Sequence, residues 1–139
     1  MVNENMILKQ LYDNTSDGIL FCDKEGIIRM WNKGCEKIFG FTTIEAEGSN
    51  LDIIIPEKYR KRHWNGFFES VETAKTKYAE KLLSVPALTK SGNIISIAFS
   101  IVMVKDTNTI IGFGAIVRDV TQEFNEKREL KEKLNMRNS

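Results

Sequence analysis

A chain of 139 residues is long enough for one domain with a proper core and too short for two of ordinary size. Its 20 basic and 19 acidic side chains leave a formal net charge of +1, so there is no broad field to gather nucleic acid or an anionic membrane surface. The start MVNENMILKQL lacks the basic segment and long apolar run of a secretory signal, and no run approaches the ~20 apolar residues of a membrane span. A cytoplasmic location without membrane attachment is expected.

From Met6 to Tyr12, MILKQLY places Ile7 near Leu11, and Leu8 near Leu11 and Tyr12, on a short amphipathic helix that DNTSDG breaks. Next, GILFC and GIIRMW flank a DKEG turn and predict an antiparallel hairpin, with Gly26 able to take a positive φ. KGCEKIFGF predicts a short helix on which Cys35, Ile38 and Phe39 share a face, ended by Gly40. After one more helical turn and a loop in TTIEAEGSNLDIIIPE, Pro56 suits the first turn of a longer helix that runs to about Thr73.

Three strand-like runs follow, roughly YAEKLLSVPALT, NIISIAFSIVMV and TIIGFGAIVRDV, separated by KSG and KDTN turns. Ile95, Ile97, Phe99, Ile101 and Met103 alternate along the middle run, the period of a strand with one buried face. Two strands, several short helices and three strands predict an α+β fold with a five-stranded antiparallel sheet and helices packed on one face. The chain divides into an N-terminal amphipathic helix over 1–13, a central domain over 14–121 and a charged C-terminal helix over 122–139. In that last helix Phe124, Leu130 and Leu134 are sparse apolar positions, too few for an established coiled coil.

Chemistry-bearing residues are few. Cys22 and Cys35 stand alone, without metal-ligand spacing, and are expected to be buried free thiols. RKRHW puts Arg60, Lys61 and Arg62 beside Trp64, but Glu57 and Glu69 flank them, and the cluster reads as a solvated helix face rather than a nucleic-acid site. No Ser/His/Asp set and no phosphate-cradling glycine loop is present, so an enzyme is not expected. The single histidine, His63, falls in line with Tyr59, Phe67 and Val71 at helical spacing and is expected to face inward. Taken alone it reads as a satisfied core or half-buried histidine, the usual role of a lone histidine on an apolar face.

DGILFCDKEGIIRMWN followed by EKIFGF, then IIPE, TKSGNIISIAFS and GFGAIVRDVT with Arg118, Asp119 and Thr121, resemble a PAS domain over approximately residues 6 to 122. The resemblance implies a small sensor module of bacterial signalling proteins, with the mixed sheet-and-helix architecture reached above. Such domains take haem, flavin, metabolites or nothing, so function has to come from the site. The NCRFLQ-like helix of photoactive flavin binders has no counterpart here, and neither Cys22 nor Cys35 stands in its cysteine's place.

PEKYRKRHWNGFF is similar to the corresponding helix of the haem-binding oxygen sensors of rhizobial FixL kinases, in which the histidine seven residues after the proline ligates haem iron. That resemblance implies His63 as an iron ligand for haem b. Ile53, Ile55, Phe67, Val71, Leu82, Leu83, Ile95, Ile97, Phe99, Ile101 and Ile116 are the candidate apolar walls. Lys75 and Lys77 are candidate propionate partners, Met103 a candidate sixth ligand and Tyr78 a candidate distal hydrogen-bond donor. Leu83 occupies the position of the oxygen-binding arginine, which implies a sensor of carbon monoxide, nitric oxide or redox state rather than a strong oxygen binder.

Two other readings stay open: a cofactor-free interaction or dimerisation module, and a small-metabolite sensor. A homodimer and a separate signalling partner are expected, since the sequence ends at Ser139. Ile7, Leu8, Leu11, Phe124 and Leu130 are the candidate contact surface.

Overall fold

The computed structural model describes residues 2–75 and 83–138. Helix α1 spans Glu4–Asn14, where the Asn3 side chain accepts from the backbone N–H of Asn5 and closes its first turn. Strands β1 (Gly18–Asp23) and β2 (Ile28–Trp31) form the expected hairpin. Helices α2 (Lys33–Phe39) and α3 (Thr43–Ala46) follow, then a 3-10 turn over Leu51–Ile54 and a second over Glu57–Tyr59. Helix α4 (Arg60–Thr73) leads to β3 (Leu83–Leu88), β4 (Ile94–Asp106), β5 (Thr109–Asp119) and helix α5 (Thr121–Arg137).

The five strands form one antiparallel sheet in the order β2-β1-β5-β4-β3. β2 and β3 are therefore opposite edges, and the chain between them crosses one face of the sheet. That crossing carries α2, α3, both 3-10 turns and α4, which is why the helices cover one face only. The core lies between: Leu20, Cys22, Ile28, Trp31, Ala87, Ile97, Phe113 and Val117 point inward from the strands, and Cys35, Phe39, Ala46, Leu51 and Ile54 meet them from the helical layer. Trp31 and Phe39 are fully buried with ring centroids 5.3 Å apart, and the Trp31 indole N–H donates to the Phe41 carbonyl.

One sequence expectation needs adjustment. Pro56 caps the 3-10 turn Glu57–Tyr59 instead of opening the α-helix, which starts only at Arg60. The first part of the strand expected in YAEKLLSVPALT lies outside the described residues, and β3 is described from Leu83. α1 and α5 contribute no buried residue and flank the domain, as expected of two helices outside the central 14–121 segment. Elsewhere the reading holds: Gly40 ends α2 with φ 85°, Gly26 takes φ 82° in the β1–β2 turn, and both cysteines are buried free thiols. Burial pushes Cys22 up to about 11 and Cys35 up to about 12, so both stay protonated and inert at neutral pH.

Candidate functional site

His63 is the fourth residue of α4 and is half-buried. Its Nδ1 is buried and has no hydrogen-bond partner among the described residues. Burial holds its pKa below the ordinary 6.5, and the Asp52 carboxylate opposes this only in part, so the imidazole is neutral at pH 7. Aromatic rings stand where hydrogen-bond partners would be. The Trp64 ring lies edge-on to His63 at 4.7 Å, Phe67 is tilted against it at 5.9 Å, and Phe67 in turn meets Phe113 of β5 at 5.1 Å.

Most of the apolar positions expected around this histidine pack on the one hydrophobic core. Ile97 is buried; Phe67, Val71, Ile53, Ile55, Ile95, Phe99, Ile101 and Met103 are half-buried and packed on the core. Leu83 starts β3 opposite Phe99 and is half-buried as well. Thus the inner face of β4 is an apolar wall that the helices cover incompletely. Met103 stands opposite Phe113 in this wall and serves as core filling.

Two expected residues face elsewhere. Tyr59 is exposed and lies under the Lys58 ammonium, 5.0 Å from its ring centroid. It belongs to the 3-10 turn, so the four-residue spacing that puts Phe67 beside His63 does not carry back to it. Ile116 is 44% exposed because it points to the outer face, between inward-facing Ala115 and Val117. Lys77, Tyr78 and Leu82 lie outside the described residues. Lys75 is exposed, just beyond the Ala74 C-cap of α4.

Sequence reading missed two arrangements. Asn32, 3% exposed, accepts from the N–H groups of Ile19 (2.8 Å) and Cys35 (3.0 Å), and its amide donates to the carbonyls of Tyr12 (2.8 Å) and Asp17 (3.1 Å). One side chain therefore ties α1, β1 and α2 together. Its position between strand and helix in WNKG was a legible N-cap signal. The second is Trp64, read above as a neighbour of basic residues: its indole N–H donates to Asp52 Oδ1 at 2.6 Å, and no sequence spacing pointed to that pair.

The far end of the domain is also tied to its neighbours. The Asp119 carboxylate accepts from the backbone N–H and hydroxyl of Thr121, while Thr121 Oγ1 accepts from the Ser96 N–H at 3.0 Å. Arg118 pairs with Asp17 at 3.3 Å, which joins β5 to the entrance of β1. The first turn of α5 is thus held to β4, the same strand whose inner face forms the apolar wall.

An antiparallel sheet of this order, crossed on one face by short helices and closed by an RDVT segment, is matched at the level of the family: residues 16–122 fit the PAS domain. The chain belongs to that family. The PAS domain of a protein from Colwellia psychrerythraea superposes with a TM-score of 0.75 at 22% identity, covering 86% of this chain and 99% of that one. The sensor protein FixL of Bradyrhizobium diazoefficiens is 34% identical over 56 residues, 40% of this chain and 11% of FixL. The cell-division control histidine kinase PdhS of Brucella ovis is 28% identical over 126 residues, 88% of this chain and 12% of PdhS. This PAS domain therefore spans a small part of the length of the curated relatives it matches. Among the described residues no helix is long and apolar enough to cross a membrane.

Proposed function

We propose that this PAS domain is a sensor that holds haem b through His63 and responds to a diatomic gas or to redox state, without catalysing a reaction itself. The observation that carries this reading is the buried, unpartnered Nδ1 of a neutral imidazole set among aromatic rings. A histidine kept only for packing would normally have its polar atoms satisfied. The half-buried inner face of β4, with Phe99, Ile101 and Met103, and Leu83 opposite Phe99, is an apolar wall suited to a macrocycle. When bound, the group would supply an iron centre for a small gaseous ligand. Leu83 offers methyl groups and no N–H donor, which favours carbon monoxide or nitric oxide over oxygen.

Output would pass through the tie between β4 and the first turn of α5, and through a homodimer or a separate signalling partner. Ile7, Leu8, Leu11, Phe124 and Leu130 are exposed on the flanking helices and suit that contact. A second reading, a cofactor-free interaction module, is favoured by the contact of Phe67 with Phe113, which fills space between α4 and the sheet.

Absorption spectra after haem reconstitution, oxidised, reduced and with carbon monoxide, separate the two. A stoichiometric Soret band that shifts or weakens in His63→Ala supports the haem sensor. No stoichiometric binding, or the same spectra with and without His63, leaves the interaction module.

A further inference from the structure

Among the described residues no group hydrogen-bonds to His63, so its ring has none of the partners that usually fix a ligating histidine. Its orientation must come from packing, and the ring set edge-on against it belongs to Trp64. That indole is itself pinned at two places. Its N–H donates to Asp52 Oδ1 at 2.6 Å, in the 3-10 turn Leu51–Ile54. Its six-membered ring lies against Gly26 in the β1–β2 turn, so closely that a Cβ there would come within 2.1 Å of Cη2 and 2.3 Å of Cζ3. The two anchoring loops are joined to each other, since the Leu51 N–H donates to the Gly26 carbonyl at 3.0 Å. Arg60 adds a further tie by donating to the carbonyls of Ile55 and Asp52.

We propose that Trp64, clamped between Asp52 and Gly26, is the positioning residue for the His63 imidazole. This rests on the reading of His63 as an iron ligand, but the clamp itself can be read without haem. A freely rotating indole would let the imidazole turn against Phe67, because among the described residues no hydrogen bond fixes the ring. With the clamp in place the ring is presented in one orientation, and the entropy of ordering it is spent before a ligand arrives.

The test uses the full chain and two readouts. In the haem-free protein, NMR follows the His63 ring protons, which are displaced by the neighbouring indole, and the Trp64 indole N–H. Asp52→Ala is expected to move both, while Asp52→Asn, which keeps an accepting oxygen, restores both. With haemin, Asp52→Ala is expected to weaken binding by about tenfold, the lower range for loss of an orienting partner, and Asp52→Asn to stay close to wild type. Trp64→Phe, which keeps a ring but loses the N–H, should behave as Asp52→Ala does and guards against a misfolded variant.

If wild type takes up no haem, the ligand reading fails and the NMR arm alone judges the clamp. Unchanged His63 resonances in Asp52→Ala would overturn the positioning role. So would haemin affinity that stays at the wild-type level in both variants of a protein that binds haem.

Discussion

Replacing Asn32 by alanine strips four hydrogen bonds from one buried point. Two N–H groups, of Ile19 and Cys35, lose their acceptor, and two carbonyls, of Tyr12 and Asp17, lose their donor. Loss of the N-cap of α2 alone costs about 1 kcal/mol. Each further buried group left without a partner adds about 1–3 kcal/mol, offset where water can reach the new space. A net loss of about 3–5 kcal/mol is expected, a large share of the roughly 5–15 kcal/mol that holds a domain together.

Urea unfolding followed by tryptophan fluorescence measures this directly, with the midpoint falling and the slope unchanged. Asn32→Asp sharpens the test, because it retains the accepting Oδ1 and turns only the donor toward two carbonyls into a second oxygen. The folded state then favours the protonated acid, so its pKa rises above the unfolded value. Stability relative to wild type is therefore greatest at acidic pH and is lost as the pH rises through that raised pKa. A loss below about 1 kcal/mol in Asn32→Ala, or no pH dependence in Asn32→Asp, would refute the view of Asn32 as the junction of α1, β1 and α2.

Gly112→Ala and Gly66→Ala should have opposite signs: a Cβ on Gly112 meets the Cys22 carbonyl at 2.1 Å between two paired strands, whereas nothing lies within 4 Å of one on Gly66. Thermal melting is expected to show a loss of about 3 kcal/mol or failure to fold for Gly112→Ala, and for Gly66→Ala, in the interior of α4, a gain of up to about 1 kcal/mol. Glu45 is held down to about 2, chiefly by the hydrogen bond from Lys90 and then by the Thr42 N–H. Its contribution is present above the ordinary 4.5 and lost as the pH falls toward about 2; in Lys90→Met a carboxyl NMR titration should find Glu45 moved back toward 4.5. In the haem-loaded protein, Leu83→Arg should raise oxygen affinity by roughly tenfold or more through one charge-assisted hydrogen bond, and unchanged oxygen affinity would count against the assignment of Leu83 to the gas-binding side.

Local patterns in the chain carried most of the architecture. The alternation Ile95, Ile97, Phe99, Ile101, Met103 put one face of β4 inward because a strand's side chains point to opposite sides in turn. DKEG and Gly40 marked a hairpin and a helix end because their backbone conformations suit few residues other than glycine. His63 stood out for being alone, and its helical spacing to Phe67 and Val71 held in the folded chain.

Spacing failed where an element began or which face it showed depended on distant contacts. Tyr59 was expected inward on an α-helical repeat, but Pro56 starts a 3-10 turn and the repeat begins at Arg60. Ile116 is apolar, yet the pairing of its neighbours Ala115 and Val117 with β1 and β4 turns it outward. Asn32 reaching Tyr12, and Trp64 reaching Asp52 and Gly26, join residues 12 to 38 positions apart in the chain. Periodicity reports which side of its own element a residue occupies. What stands across from it is decided only when the helical crossing folds back over the sheet, and the orientation of the one histidine is decided there as well.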